Sequence, residues 1–154
     1  MEGLDNIYIN QTLKKLSKDF CGVYSSDNIP TNLLQKDNFI IVCNLSGQFE
    51  VGSHFITIVA NNDITIYIDS LGFPCLIPEI SDFIRKRGNP LYYNDRQIQH
   101  ANSKYCGFFC IYFTLLFDRA LVSQPIFTFS TKKLYENDAK CIMYIKSLIR
   151  QLVK

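Results

Sequence analysis

Histidine is scarce in this chain, with only His54 and His100 in 154 residues. None of the six cysteines (21, 43, 75, 106, 110 and 141) forms a Cys-x-x-Cys pair, and Cys106 and Cys110 stand four apart with no second pair nearby. Structural zinc is held by paired cysteines and histidines at short spacing, so no metal site is expected. Excess charge of one sign is lacking too. Sixteen Lys and Arg face 14 Asp and Glu, and a net charge of +2 is compatible with a nucleic-acid surface without arguing for one. No apolar run approaches the roughly 18 residues that span a bilayer. The opening Met-Glu-Gly-Leu-Asp-Asn is unlike a signal peptide, so the thiols are expected to be mostly reduced, in a chain made inside the cell. Repeats, linkers and low-complexity tracts are absent, and one domain over 1–154 is expected, large enough for a core without disulfides.

What is present is apolar. Hydrophobic residues make up 47% of the chain, with 12 Phe and 9 Tyr, which implies a compact globule. The spacing predicts a short helix over 9–19 with Leu13, Leu16 and Phe20 on one face and Lys14, Lys15 and Lys18 outside. Residues 21–24 read as a turn or short extended piece, 25–30 as loop, and 39–44 as a nearly continuous apolar strand bounded by Ser46 and Gly47. Strands over 54–60 and 64–69 flank the turn Asn61-Asn62-Asp63, a hairpin signal. A helix over 78–87 starts at Pro78 and stops at Gly88 and Pro90, followed by a short strand at 91–93 and a polar loop to Tyr105. The helix from 107 to about 121 is apolar nearly all round and must be central. A last helix over about 132–153 turns Tyr135, Ala139, Ile142, Ile145, Leu148, Ile149 and Leu152 inward. The fold class implied is α+β, a small central sheet flanked by helices.

The chemistry concentrates around Cys106, which ends a small polar turn and begins the central helix. A cysteine in an apolar chain is ordinarily a small buried hydrophobe. At a helix start, however, unpaired backbone N–H groups and the helix dipole stabilise a thiolate. The same N–H groups suit the oxyanion that its attack on a carbonyl creates. Any Cys–His mechanism must use His54 or His100. His100 lies in a loop six residues before the cysteine, whereas His54 begins a strand that can hold its ring, and His54 is preferred. Asp69 ends the paired strand and is expected opposite His54, where a carboxylate orients an imidazole and steadies its charged form; its plain alternative is a solvent-facing strand end. Gln99 offers neutral amide N–H donors for an oxyanion hole, although nothing local separates it from an ordinary loop amide.

These motifs resemble the adenovirus-type maturation proteases, the adenains, which are distant fold relatives of SUMO-processing proteases. Gly52-Ser53-His54-Phe55 corresponds to the adenain Gly-x-x-His-Trp, and Asp69-Ser70-Leu71-Gly72-Phe73 to its carboxylate and Gly-Phe turn. Gln99, Asn102-Ser103 and Cys106-Gly107-Phe108-Phe109-Cys110 match its glutamine, Asn-Ser and Cys-Gly-x-Phe-Cys at the same spacings. Leu13-Lys14, Cys21 to Tyr24 and Val42-Cys43-Asn44 also look like the adenain N-terminal region, so the likeness runs from about 8 to 120.

The resemblance implies a triad of His54, Asp69 and Cys106, with Gln99 assisting the oxyanion hole. It implies cleavage of viral precursor polypeptides during virion maturation, at bonds flanked by small residues such as glycine. The setting implied is the virion and the host-cell interior, nucleus or virus factory. The chemistry requires no cofactor; activation by DNA or by a viral peptide is inherited with the family, as is weak non-specific DNA binding. A monomer with no membrane association is expected. Asp69 replaces the family's usual glutamate, Phe55 replaces Trp, and 85–98 lacks the cysteine that joins adenain to its activating peptide, so a disulfide-linked peptide is not expected. The alternatives are a protease of ubiquitin-like tails on the same fold, and a non-catalytic protein with Cys106 merely buried.

Overall fold

The computed structural model describes residues 3–46, 54–118 and 129–153. Five strands form one sheet in sequence order: β1 (Phe20–Ser25), β2 (Phe39–Asn44), β3 (Phe55–Ala60), β4 (Thr65–Ile68) and β5 (Leu91–Tyr93). The inner pairs β2–β3 and β3–β4 are antiparallel, and the outer pairs β1–β2 and β4–β5 are parallel. Among the described residues four α-helices accompany them, α1 (Asn6–Leu16), α2 (Pro78–Arg87), α3 (Cys106–Phe117) and α4 (Leu134–Val153), with one 3-10 turn at Thr31–Gln35.

The sheet separates two apolar layers. Ile9 and Leu13 of α1, Val42, Phe55, and most of α3 with Cys141, Ile142 and Ile145 of α4 pack on one face. Phe39, Ile41, Cys43, Ile56, Ile58 and Tyr67 meet Ile80, Phe83 and Ile84 of α2 on the other. Alternation along a strand sends odd and even residues to opposite sides, so β2 and β3, covered on both, read as nearly continuous apolar runs, broken only by Thr57 and the terminal Asn44. The expected α+β class, with a central sheet flanked by helices, is the observed one.

Several boundaries differ from expectation. The first helix runs Asn6–Leu16, three residues earlier, because Asp5 caps it by accepting from Tyr8 N at 2.8 Å and Ser17 is already extended. Residues 20–25 form a full edge strand, its register shifted between Phe20 and Gly22, an irregularity that hides it from pattern reading. On α4, Tyr135 and Ala139 face solvent; the inward residues of that turn are Asn137, Asp138 and Cys141. The expected end of the central helix at 121, and Gly47, Gly52 and Ser53, lie outside the described residues.

Gly107 is where α1 meets α3. A Cβ there would lie 3.0 Å from Ile9 Cδ1 and 3.1 Å from Leu4 Cβ, so a hydrogen at this position lets the two helices close. The result sets the start of α3, and Cys106 with it, against the N-terminal segment.

Candidate active site

His54 stands one residue before β3, yet its backbone is held, because its carbonyl accepts from Leu45 N at 3.0 Å and extends the β2 ladder by a step. The β3–β4 register pairs Thr57 with Ile68; one step further, it sets Asp69 across from Ile56 rather than from His54. The two side chains therefore meet diagonally, a relation that long side chains bridge across antiparallel strands. His54 Nε2 and Asp69 Oδ1 are 2.6 Å apart.

Asp69 is fixed from several directions. Its Oδ1 also accepts from Leu71 N at 2.8 Å. Asn94, just beyond β5, accepts from Asp69 N at 2.9 Å and donates through Nδ2 to Asp69 O at 2.6 Å. The carboxylate is thus aimed by its own turn and by a side chain 25 residues away. The histidine side chain is 14% exposed and the aspartate side chain 2%.

Cys106 is the first residue of α3 and 7% exposed. Tyr105 before it makes no side-chain cap, and the earliest amides drawn back to its carbonyl are those of Phe108 and Phe109, at 3.0 and 3.3 Å. The amides of Cys106 and Gly107 have no hydrogen-bond acceptor among the described residues, as expected of donors at a helix start. Cys106 lies close enough to the His54 side chain to favour its protonated form. Asp69 engages Nε2 of that ring and leaves Nδ1 without a bond to Asp69.

Electrostatics follow from this sandwich. Burial disfavours the imidazolium, but the hydrogen bond and charge of Asp69, with Cys106 beside the ring, outweigh it, raising the His54 pKa from 6.5 to about 9. Burial pushes the thiols of Cys43, Cys110 and Cys141 up instead, which keeps them protonated.

Gln99 is 1% exposed, hence not the solvent-facing amide of an ordinary loop. Its backbone N donates to Ser70 O at 3.0 Å, beside Ile98 N at 2.9 Å. Its Oε1 accepts from Ser70 Oγ and its Nε2 donates to Ser103 O at 3.0 Å. Gly72, at a φ of 81°, is essential to this contact: a Cβ there would come 2.8 Å from the Arg96–Gln97 backbone. From the other side α4 reaches in, with Asn137 Nδ2 donating to Ile98 O at 2.9 Å and Asp138 Oδ1 accepting from His100 N at 3.3 Å.

His54, Asp69 and Cys106 come together, and Gln99 is built into the adjoining loop. His100 is occupied elsewhere; its Nδ1 accepts from Asn102 N at 3.2 Å and its ring stacks on Tyr135 with centroids 3.8 Å apart. Among the described residues no group of three His, Cys, Asp or Glu side chains gathers to hold a metal ion, and no helix is long and apolar enough to cross a membrane. The reading from sequence missed Ser70, Asn94, Asn137 and Asp138. A signal existed only for the last two, because polar residues on the inward line of an otherwise apolar helix need partners.

Solved structures of similar fold include the following two. The central domain of the uncharacterized Lpg1148 protein from Legionella pneumophila matches with a TM-score of 0.62 at 12% identity, over 99% of both chains. The ASFV pS273R protease matches with a TM-score of 0.51 at 14% identity, over 86% of this chain and 61% of that one. At such identities the likeness is one of fold. No protein-family model matches the chain, and no curated protein matches its sequence.

Proposed function

We propose that the chain is a cysteine endopeptidase with Cys106 as nucleophile, His54 as acid and base, and Asp69 as the orienting carboxylate. The observation that carries this is the His54 ring, bonded by Asp69 at 2.6 Å and neighboured by a cysteine at the start of a buried helix. In this reading the thiolate attacks the scissile carbonyl carbon. The resulting oxyanion is met by the helix-start amides and the Gln99 amide. As the C–N bond breaks, His54 gives its proton to the departing amine and a thioester remains on Cys106. Water then attacks the thioester, with His54 taking its proton, and the acid product leaves.

The substrates proposed are precursor polypeptides of a virus, cut at glycine-flanked bonds during particle maturation by a single-domain monomer. This finer reading rests on the adenain-like motifs; the fold shared with a protease supports only the coarser reading of a peptidase. Activation by DNA or a non-covalent viral peptide belongs to the same proposal.

The test is a thiol-reactive probe at neutral pH followed by peptide mapping. Cys106 should take up one equivalent well before Cys43, Cys110 and Cys141, and the rate should fall sharply in His54→Ala. Hydrolysis of fluorogenic peptides with glycine at the scissile bond should vanish in Cys106→Ala. Slow, equal labelling of several cysteines would sink the enzyme reading, while turnover of folded ubiquitin-like precursors in preference to peptides would reassign the substrate.

A further inference from the structure

The turn that ends β4 carries two functions on adjacent residues. Asp69 turns its carboxylate to His54, and Ser70, 3% exposed, turns its hydroxyl to Gln99 Oε1. Ser70 also holds the backbone of the same arm, its carbonyl accepting from Ile98 N and Gln99 N.

A glutamine amide works as an oxyanion donor only when its N–H end faces the reacting atoms. Its two ends are nearly the same shape, so the partners must decide which way it points. Here the Ser103 carbonyl, an acceptor only, selects the Nε2 end at 3.0 Å. The carbonyl end is then driven into the interior, where an unpaired oxygen would strongly disfavour that conformer. Ser70 Oγ supplies the missing donor. Together they occupy the oxygen and one N–H, and leave the second N–H with no partner among the described residues.

We infer that Ser70 is a positioning residue, whose hydroxyl locks the Gln99 amide with its free N–H available for the oxyanion. The inference rests on the protease reading and adds a residue that acts through Gln99, without touching substrate. The backbone grip of Ser70 survives its substitution by alanine, so the arm stays docked and only the amide is released.

A double-mutant cycle tests this with fluorogenic glycine peptides. Ser70→Ala should lower kcat roughly ten- to a hundredfold, bounded by the loss from removing the donor itself, with KM within about twofold. Alkylation of Cys106 by iodoacetamide should be unchanged, since that reaction forms no oxyanion. In a Gln99→Ala background the same substitution should cost less than about twofold more. Full kcat in Ser70→Ala, or an undiminished cost without Gln99, would overturn the inference. A second readout needs no activity: the side-chain amide pair that vanishes from the 15N–1H spectrum in Gln99→Ala should shift toward the solvent-exposed position in Ser70→Ala. If the unsubstituted protein cleaves no peptide, the protease reading fails while this spectrum still decides the inference, an unmoved pair overturning it.

Discussion

The imidazole of His54 is charged across the neutral range because its two neighbours hold it so, and this has a definite sign. Its pKa is 6.5 unperturbed and about 9 in the fold. The folded state therefore binds the proton more tightly, a stabilisation fully present below about 6.5 and lost as pH rises through 9. Asp69→Asn keeps an oxygen for Leu71 N but removes the charge. The expected outcome is a urea midpoint that falls less between pH 6.5 and 9 than in the parent. In kcat/KM, the basic limb near pH 9 should move to lower pH and the plateau should drop strongly. Asp69→Glu should retain substantial turnover if the diagonal geometry admits another methylene. A variant Asp69→Asn with the parent's pH profile would remove the carboxylate from the mechanism.

Elements deliver these residues through contacts of very different legibility. Cys106, His54 and Asp69 were readable because each sits at a strand or helix end within a recognisable local run. Gln99 was readable only by resemblance, since its burial comes from Ser70 and α4, neither local to it. Asn94 acts through backbone atoms 25 residues away and leaves no mark on periodicity. β1 was obscured by its shifted register, and the start of α4 misread because its inward turn is polar. The α1–α3 contact makes the clearest prediction at this scale. Gly107→Ala inserts a methyl 3.0 Å from Ile9 Cδ1 and 3.1 Å from Leu4 Cβ. Overpacking costs about 1–3 kcal/mol, offset in part by the better helix propensity of alanine, so a net loss of about 1 kcal/mol is expected in urea unfolding. Ile9→Val removes the nearer clashing atom, and the double variant should be more stable than the two single losses predict. A Gly107→Ala protein firmer than its parent would show that the helices are not in limiting contact.

At the scale of the whole molecule, the sheet gathers the site at one end. The start of β3, the end of β4, the exit from β5 and the head of α3 meet there, while α1 and α4 brace them from one face and α2 fills the other. The charges are arranged far less purposefully. Of the basic run at 85–87, Arg87 is spent on main-chain carbonyls, including Leu34 at 3.0 Å, Asp37 at 2.9 Å and Asn61 at 3.1 Å. Arg85 pairs with Asp82 at 3.1 Å, and Lys14 donates to Cys21 O at 2.8 Å. Affinity for a nucleic acid scales with the phosphates that free cations can neutralise, each releasing about one counterion. A chain of net charge +2 with these cations engaged can neutralise few. Fluorescence anisotropy with a labelled duplex should therefore give weak, sequence-independent binding that is lost between about 50 and 200 mM salt, with a log–log slope well short of those for dedicated DNA binders. Lys15→Glu, on the exposed side of α1, and Lys18→Glu, exposed just beyond its end, should abolish it without changing peptide turnover. Tight binding that persists at about 200 mM salt would overturn this reading of the charges.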